Sequence, residues 1–465
     1  MTLDKLSLKE KIGYGFGDAA SSMFWKLFSM YLMFFYTDIF GISAVVVGTM
    51  FLVTRIWDAA FDPFVGILAD RTETKWGKFR PYLLWVMVPF GIMGVITFTT
   101  PDMGTTGKII YAYITYSLMM MVYSLINVPY ASLMGVMSAD GKERTSLATF
   151  RFIFAFGGSL LVLAAAEPLV DIFSTLGGGQ VNLQIGWQFA AVVFALVAIL
   201  FFWFTFSWTS ERIKPMTEKT SLKHDLKDLL KNRPWFILLG AGIASIFFNS
   251  IRDGAAMYYF KYYVISDDSF NFSILGHKFA TISSLYFVLG QAANIVGVVL
   301  AKPVSDRMGK KGTFLSAMLL ATVFSIYFYF IDKNSTALIF VMQFLISMCA
   351  GITFPLIWSM YADAADYSEW KTKRRATGLI FSASSMSQKF GWTIGGALVG
   401  WLLGYYGFKA NVDQTETAQT GIRMMLSFYP AIGTLAGVGF MLIYPLSEKK
   451  MVQISSELAD WRGKK

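Results

Sequence analysis

Residues 54–63 read TRIWDAAFDP and set Arg55, Asp58 and Asp62 inside an otherwise apolar segment. AVVVGTMFLV (44–53) runs before them and FVGILA (64–69) after them, neither carrying a charge. Four residues apart, the two carboxylates lie one above the other on a single helical face, with Arg55 close to that face. An ionised group at bilayer depth costs on the order of 3 kcal/mol on insertion scales, so it is tolerated where it is paired or faces a wet cavity. One arginine satisfies one carboxylate well, and a structural Arg–Asp pair is the plain reading of that half. The second carboxylate needs another partner, which a transported cation can supply.

Composition bounds the rest. Of 465 residues, 55% are hydrophobic and only 15% charged, against about a quarter charged in soluble domains; mean hydropathy is +0.52. With 43 Phe, 22 Tyr and 13 Trp, the chain suits lipid-facing and interfacial positions, and it reads as a polytopic membrane protein. The net charge of +10 does not point to nucleic acid, because Lys and Arg are spread over short hydrophilic loops. One cysteine, Cys349, excludes an intramolecular disulfide, and two histidines leave no metal cluster. The N-terminal MTLDKLSLKEK feeds a segment too long for a signal-peptide core, so it reads as an uncleaved first span.

Stretches of about 20 apolar residues fall near 12–38, 44–69, 81–100, 108–138, 146–166 and 187–208. A second set falls near 235–264, 279–301, 313–331, 337–362, 376–404 and 421–446. The expected fold is therefore an all-α membrane protein of twelve transmembrane helices in two six-helix bundles, 1–208 and 235–446. Basic residues collect in alternate loops, such as Arg71 to Arg80, Lys302 to Lys311 and Lys371 to Arg375, while DIFGIS and 167–187 have none; this predicts cytoplasmic termini. Between the bundles, 209–234 reads as a cytoplasmic linker in which Leu222, Leu226, Leu229 and Leu230 form one face of an amphipathic helix. Residues 447–465 read as a cytoplasmic tail. GILADRTETKWGKFRP (66–81) and LAKPVSDRMGKKGTF (300–314) both carry Asp-Arg and then Gly-Lys after the second span of their half. Six-helix repeats of this kind describe one large class of secondary transporter, with the substrate at the interface of the halves.

Further candidate residues lie inside the spans. Asp18, Ser22 and Trp25 occur at i, i+4 and i+7, a carboxylate for sugar hydroxyls beside a ring for a pyranose face; Asp18 could instead cap or pair near the cytoplasmic end. Tyr123 and Asn127 share a face in span four, with Ser124 adjacent and Pro129 following. Interhelical hydrogen bonding is their plainer reading. Arg151 opens span five and could either snorkel to the interface or point inward. Lys389 sits near the middle of span eleven, with Ser385 and Trp392 on its face, and needs protein or a wet cavity around its ammonium; Asp18, Asp58 and Asp62 are its candidate structural partners. Span ten ends in Asp363, Asp366 and Glu369, followed by KTKRR (371–375). With Arg144 and Arg375, these residues read as a cytoplasmic ionic gate. GFGD (15–18) matches a protease pattern, but the partner motifs and any nucleophile–base arrangement are missing, so the chain does not read as an enzyme.

GYGFGDAASS, YTDIFGISA, RIWDAAFDP, RTETKWGKFRP, NVPYASL, DGKERTSL, ADAADYSEWK and SQKFGWTIGGALVGW, collinear from about residue 8 to 446, together resemble the glycoside–pentoside–hexuronide:cation symporters. These are members of the major facilitator superfamily that include the melibiose permease. The resemblance implies that Asp58 and Asp62 are cation-site acids; Ser124 and Asn127 are candidates, read from the residues, to add further oxygens to that site. It also implies that Asp18 or Ser22, Tyr123, Asn127, Arg151 and Lys389 fall at sugar-site positions, with Phe354 as a stacking aromatic. Phe61 stands where sodium-using melibiose-type members have an Asn, Asn127 replaces an Asp, Ala131 a Trp, and Ser21–Ser22 a Lys-Asp pair.

The function so implied is uptake of a glycoside, pentoside or hexuronide driven by an inward cation, in a multi-pass inner-membrane protein acting as a single transport unit. No cofactor is expected beyond the coupling cation. Sodium wants several oxygens at once and Phe61 brings none, whereas a proton needs one carboxyl, so a proton is expected over sodium. A lysolipid symporter of the same superfamily would want a lateral entry and an apolar tail cleft. A membrane sensor would want an appended soluble domain.

Overall fold

The computed structural model of the protein describes residues 5–138, 141–175, 181–212, 231–264, 272–274, 277–372 and 377–463. They divide into two compact units. One lies within Met1–Thr217, Ser266–Val288 and Lys409–Asp413; the other lies within Glu218–Ile265, Leu289–Phe408 and Gln414–Lys465.

The first unit opens with α1 (Leu8–Leu27), started by a capping box in which Ser7 accepts from the Glu10 N–H and Glu10 accepts from the Ser7 N–H. Two π-helical turns, Phe28–Leu32 and Phe35–Ile39, continue it. Then come α2 (Ala44–Arg71), α3 (Arg80–Thr97), α4 (Thr105–Met137), α5 (Gly141–Thr175) and α6 (Leu183–Trp208). After α7 (Arg233–Tyr259) a hairpin interrupts the helical pattern: β1 (Phe272–Ile274) pairs antiparallel with β2 (His277–Ala280). The span expected from residue 279 therefore begins only at Ile282, because His277–Ala280 is taken up in strand pairing. Next follow α8 (Ile282–Phe328), α9 (Thr336–Thr372), α10 (Thr377–Tyr405), α11 (Glu416–Leu426), α12 (Phe428–Leu442) and α13 (Glu448–Gly463). Among the described residues, eight helices are long and apolar enough to cross a membrane.

Two expectations change on folding. The last span is two helices, broken at Ser427 (φ −128°, ψ −85°). The buried Arg252 of α7 holds the break, donating to the Leu426 carbonyl at 2.6 Å and to Gln343 at 2.7 Å. The tail is a docked helix: Met451, Ile454 and Leu458 of α13 enter a core with Trp235, Phe314 and Tyr361. The described ends of the expected linker are anchored. At its start the Arg212 N–H donates to the Val136 carbonyl at 2.9 Å; at its end Asn232 caps α7 and donates to the Ala364 carbonyl at 2.9 Å. Its expected amphipathic helix lies outside the described residues.

The internal repeat has a physical basis that the quoted motifs only hint at. In the first unit, Gly77 (φ +108°) turns the chain into α3, and the Glu211 carboxylate accepts from the N–H groups of Lys78, Phe79 and Arg80 at 2.9, 2.7 and 2.9 Å. In the second unit, Gly309 (φ +72°) breaks the 47-residue α8, and Glu448 accepts from the Lys310 N–H at 2.9 Å. A Cβ at Gly77 would collide with the Glu211 carboxylate, and one at Gly309 would lie 3.1 Å from the Glu448 side chain. Each turn thus needs glycine twice over, for its φ and for the acid's approach. Each acid satisfies N–H groups left open where a helix starts, and its charge suits that end of the helix dipole.

Hydrogen bonds to a charged acceptor contribute about 1.5–3 kcal/mol each, less where water can replace them. Glu211→Ala should therefore destabilise the first unit by about 2 kcal/mol, and Glu448→Ala by less. Thermal melting of the purified protein in detergent checks this; equal and negligible shifts for both variants would contradict the clamp.

Candidate cation and substrate site

The acids quoted at the outset converge on one hydroxyl. α2 presents Asp58, 3% exposed, and Asp62 one turn later; α4 brings Ser124, 2% exposed, against both. Ser124 Oγ lies 2.8 Å from Asp58 Oδ1 and 2.6 Å from Asp62 Oδ1. The other oxygen of Asp58, Oδ2, faces Arg55 Nη1 at 3.4 Å. A hydroxyl carries one hydrogen, so Ser124 donates to only one carboxylate at a time. The remaining short contact needs a hydrogen or a cation of its own. The Asn127 Nδ2 donates to the Tyr123 carbonyl at 3.0 Å, one turn back on its own helix. Phe61 packs on Phe64, ring centroids 5.8 Å apart.

Next to the acids stands a second charged pair. Asp18 on α1 accepts from Arg151 Nε on α5 at 3.0 Å. The two helices come this close because Gly158 lies against the Ala19 backbone, where an added Cβ would collide with its carbonyl. Arg151 therefore points inward and does not snorkel. Its guanidinium sits 5.6 Å from the Tyr130 ring, which stacks on Tyr14 at 4.7 Å and donates to the Tyr14 carbonyl at 2.7 Å. Tyr14 and Tyr130 were missed by the sequence reading, although Tyr14 is one turn before Asp18 and Tyr130 two turns after Tyr123. Trp25 meets Tyr123, ring centroids 5.9 Å apart, and carries the Arg55 guanidinium over its ring at 4.6 Å. Ser22 lies partly exposed on the same helix.

In the second unit, Phe354 lines a small recess with Gly242, Ser245, Thr353, Ser387 and Gln388. Ser245 and Thr353 bond across α7 and α9 at 3.2 Å, and Tyr361 and Ser387 across α9 and α10 at 3.2 Å. Lys389 and Trp392 follow on α10, both partly buried; their carbonyls accept from Thr393 at 2.7 Å and Ser250 at 3.1 Å. The Ser385 side chain lies outside the described residues.

Of the expected gate, Asp363 pairs with Lys310 at 2.7 Å, a basic residue of α8 that the sequence reading left in a loop. Asp366 is partly exposed and Glu369 buried on the same helix, while the Arg144 side chain and Arg375 lie outside the described residues. Two further ion pairs gather at the start of α1: Lys11–Glu143 at 2.9 Å and Arg212–Glu10 at 2.7 Å. Burial works against the charge of Glu10, but the Ser7 N–H and Arg212 outweigh it and hold its carboxyl below the ordinary glutamate value. That contribution to stability is present above the ordinary value and is lost as pH falls through the lowered one.

A family model described as MFS/sugar transport protein matches residues 13–448. The inner membrane symporter YicJ of Escherichia coli (strain K12) is 38% identical over 463 residues, 99% of this chain and 96% of that protein. The isoprimeverose transporter of Lactiplantibacillus pentosus is 36% identical over 449 residues, 95% of this chain and 90% of that protein. A solved D-xylose-proton symporter superposes with a TM-score of 0.62 at 14% identity, covering 96% of this chain and 98% of that one; this likeness speaks for the fold alone. The chain belongs to the MFS/sugar transport protein family, among its glycoside–pentoside–hexuronide:cation symporters, and is a multi-pass inner-membrane transporter rather than an enzyme.

Proposed function

We propose that the protein takes up a glycoside, pentoside or hexuronide together with an inward-moving proton, by alternating access. The observation that carries the proton is the single hydroxyl of Ser124 between two carboxylates. With both acids ionised, one of the two contacts sets oxygen lone pairs against each other with no hydrogen between them. A proton on either acid completes the chain: the carboxyl donates to Ser124, and Ser124 donates to the other carboxylate. Sodium would want several oxygens at once; Phe61 supplies none, and the Asn127 Nδ2 is committed to the Tyr123 carbonyl. Arg55 at Asp58 Oδ2 holds that acid charged, which leaves Asp62 to take and release the proton.

The twelve-helix topology with cytoplasmic termini belongs to the same reading. At 1.5 Å per residue α8 is about 70 Å long, more than twice the roughly 30 Å hydrocarbon core, so it crosses twice with the Gly309 break at the cytoplasmic turn. The membrane potential supplies about 2.3 kcal/mol per charge per 100 mV, which supports tens-fold accumulation. The sugar contacts assigned are Asp18, Tyr123 and Arg151 in the first unit, and Phe354, Lys389 and Trp392 in the second. The name of the isoprimeverose transporter supports a glycoside as cargo.

Radiolabelled isoprimeverose uptake into membrane vesicles should follow an imposed inward pH gradient and ignore a sodium gradient at constant pH; the reverse would replace the proton with sodium. Asp62→Asn keeps the shape but cannot exchange a proton, so it should abolish uphill accumulation while sugar exchange across the membrane persists. Retained accumulation in that variant would remove Asp62 from coupling. Lys389→Ala should lower uptake at least ten-fold, and wild-type uptake would exclude it from sugar contact.

A further inference from the structure

Trp25 offers a ring face of the kind that stacks on sugars, yet what lies over that face is the Arg55 guanidinium, 4.6 Å from the ring. Arg55 is itself one-tenth exposed at its side chain and meets Asp58 at 3.4 Å. A charge-assisted N–H···O contact at full strength is about 2.7–2.9 Å. The guanidinium is thus held between two attractions, a carboxylate on its own helix and an aromatic face from α1, and it sits short of a full bond to the first. We propose that Arg55 is a movable counter-charge shared between Asp58 and Trp25, and that Trp25 is a positioning residue that sets how tightly the cation binds. This rests on the reading of Asp58 and Asp62 as the cation site.

The sign follows from competition. A cation arriving at the acids neutralises part of the charge that holds Arg55, and the guanidinium then needs another seat. The Trp25 face provides it, so the ring lowers the work of displacing Arg55. Without the ring, Arg55 settles closer to the acids, and its positive charge opposes a proton on Asp62 more strongly. The groups that face this triad are Asp58 and Asp62 on α2 and Tyr116 and Tyr123 on α4, with Asp18 and Arg151 beyond Tyr123. Coupling is reciprocal: whatever binds at Trp25 and Tyr123 and strengthens their hold on Arg55 tightens cation binding by the same factor. That gives a physical route from an occupied aromatic wall to the acids, within one unit of the protein.

Cation binding measured without any sugar separates this role from plain stacking. The purified full-length protein is titrated in detergent, with proton uptake followed by an indicator dye and sodium binding by calorimetry. Trp25→Leu should weaken binding of the coupling cation about two- to thirty-fold, the range spanned by a cation–π contact, and Trp25→Phe, which keeps an aromatic face, should fall between Leu and wild type. Asp62→Asn is measured alongside. If Asp62→Asn binds the cation as wild type does, the cation site itself is misassigned. If Asp62→Asn loses cation binding while Trp25→Leu and Trp25→Phe both match wild type, the site stands and the shared counter-charge is overturned.

Discussion

A carboxylate pair inside an apolar helix is affordable only while every oxygen has something to meet, and that requirement organises the first unit. Ser124 takes one oxygen from each acid, and Arg55 takes another of Asp58. Because a hydroxyl carries one hydrogen, Ser124 cannot donate to both acids at once, so the protonation of the pair and the hydrogen bonding at Ser124 are tied together. Asp18 and Arg151 meet the same requirement by pairing with each other, with Tyr130 against the guanidinium.

Around this polar interior the scaffold repeats one device. A left-handed glycine, a basic residue whose N–H opens the next helical stretch, and a glutamate from beyond the last span of the same half occur once in each unit. The two glutamates arrive from segments that look like linker and tail. Glu211 and Glu448 themselves are therefore parts of the folded halves, and α13 adds its own apolar face to the second core. The acid at each turn has a definite electrostatic task, and its removal leaves a helix start with open N–H groups rather than a merely looser loop.

Sequence patterns were legible where the physics is local. Asp58 and Asp62 share a face because four residues make about one helical turn, and apolar length marks the spans. Motifs collinear over nearly the whole chain named the family. The pairing of partners was not legible, because it depends on contacts between distant segments. Ser124 is the bridge between the two acids, and the Asn127 Nδ2 is bonded to the Tyr123 carbonyl. Asp363 found Lys310 across α8 and α9, where the basic run that follows it in the chain had looked the natural partner.

By itself, then, the sequence determined that this chain lives in a membrane, that it has two related halves, and which ionisable groups its helices carry into the apolar layer. Composition and short-range periodicity decide those properties before any helix meets another. Only the tertiary structure decided what each charge faces: one hydroxyl between two acids, a tryptophan face beneath Arg55, a glutamate at each glycine turn. Those contacts join residues tens to more than a hundred positions apart, and no local rule of spacing specifies them.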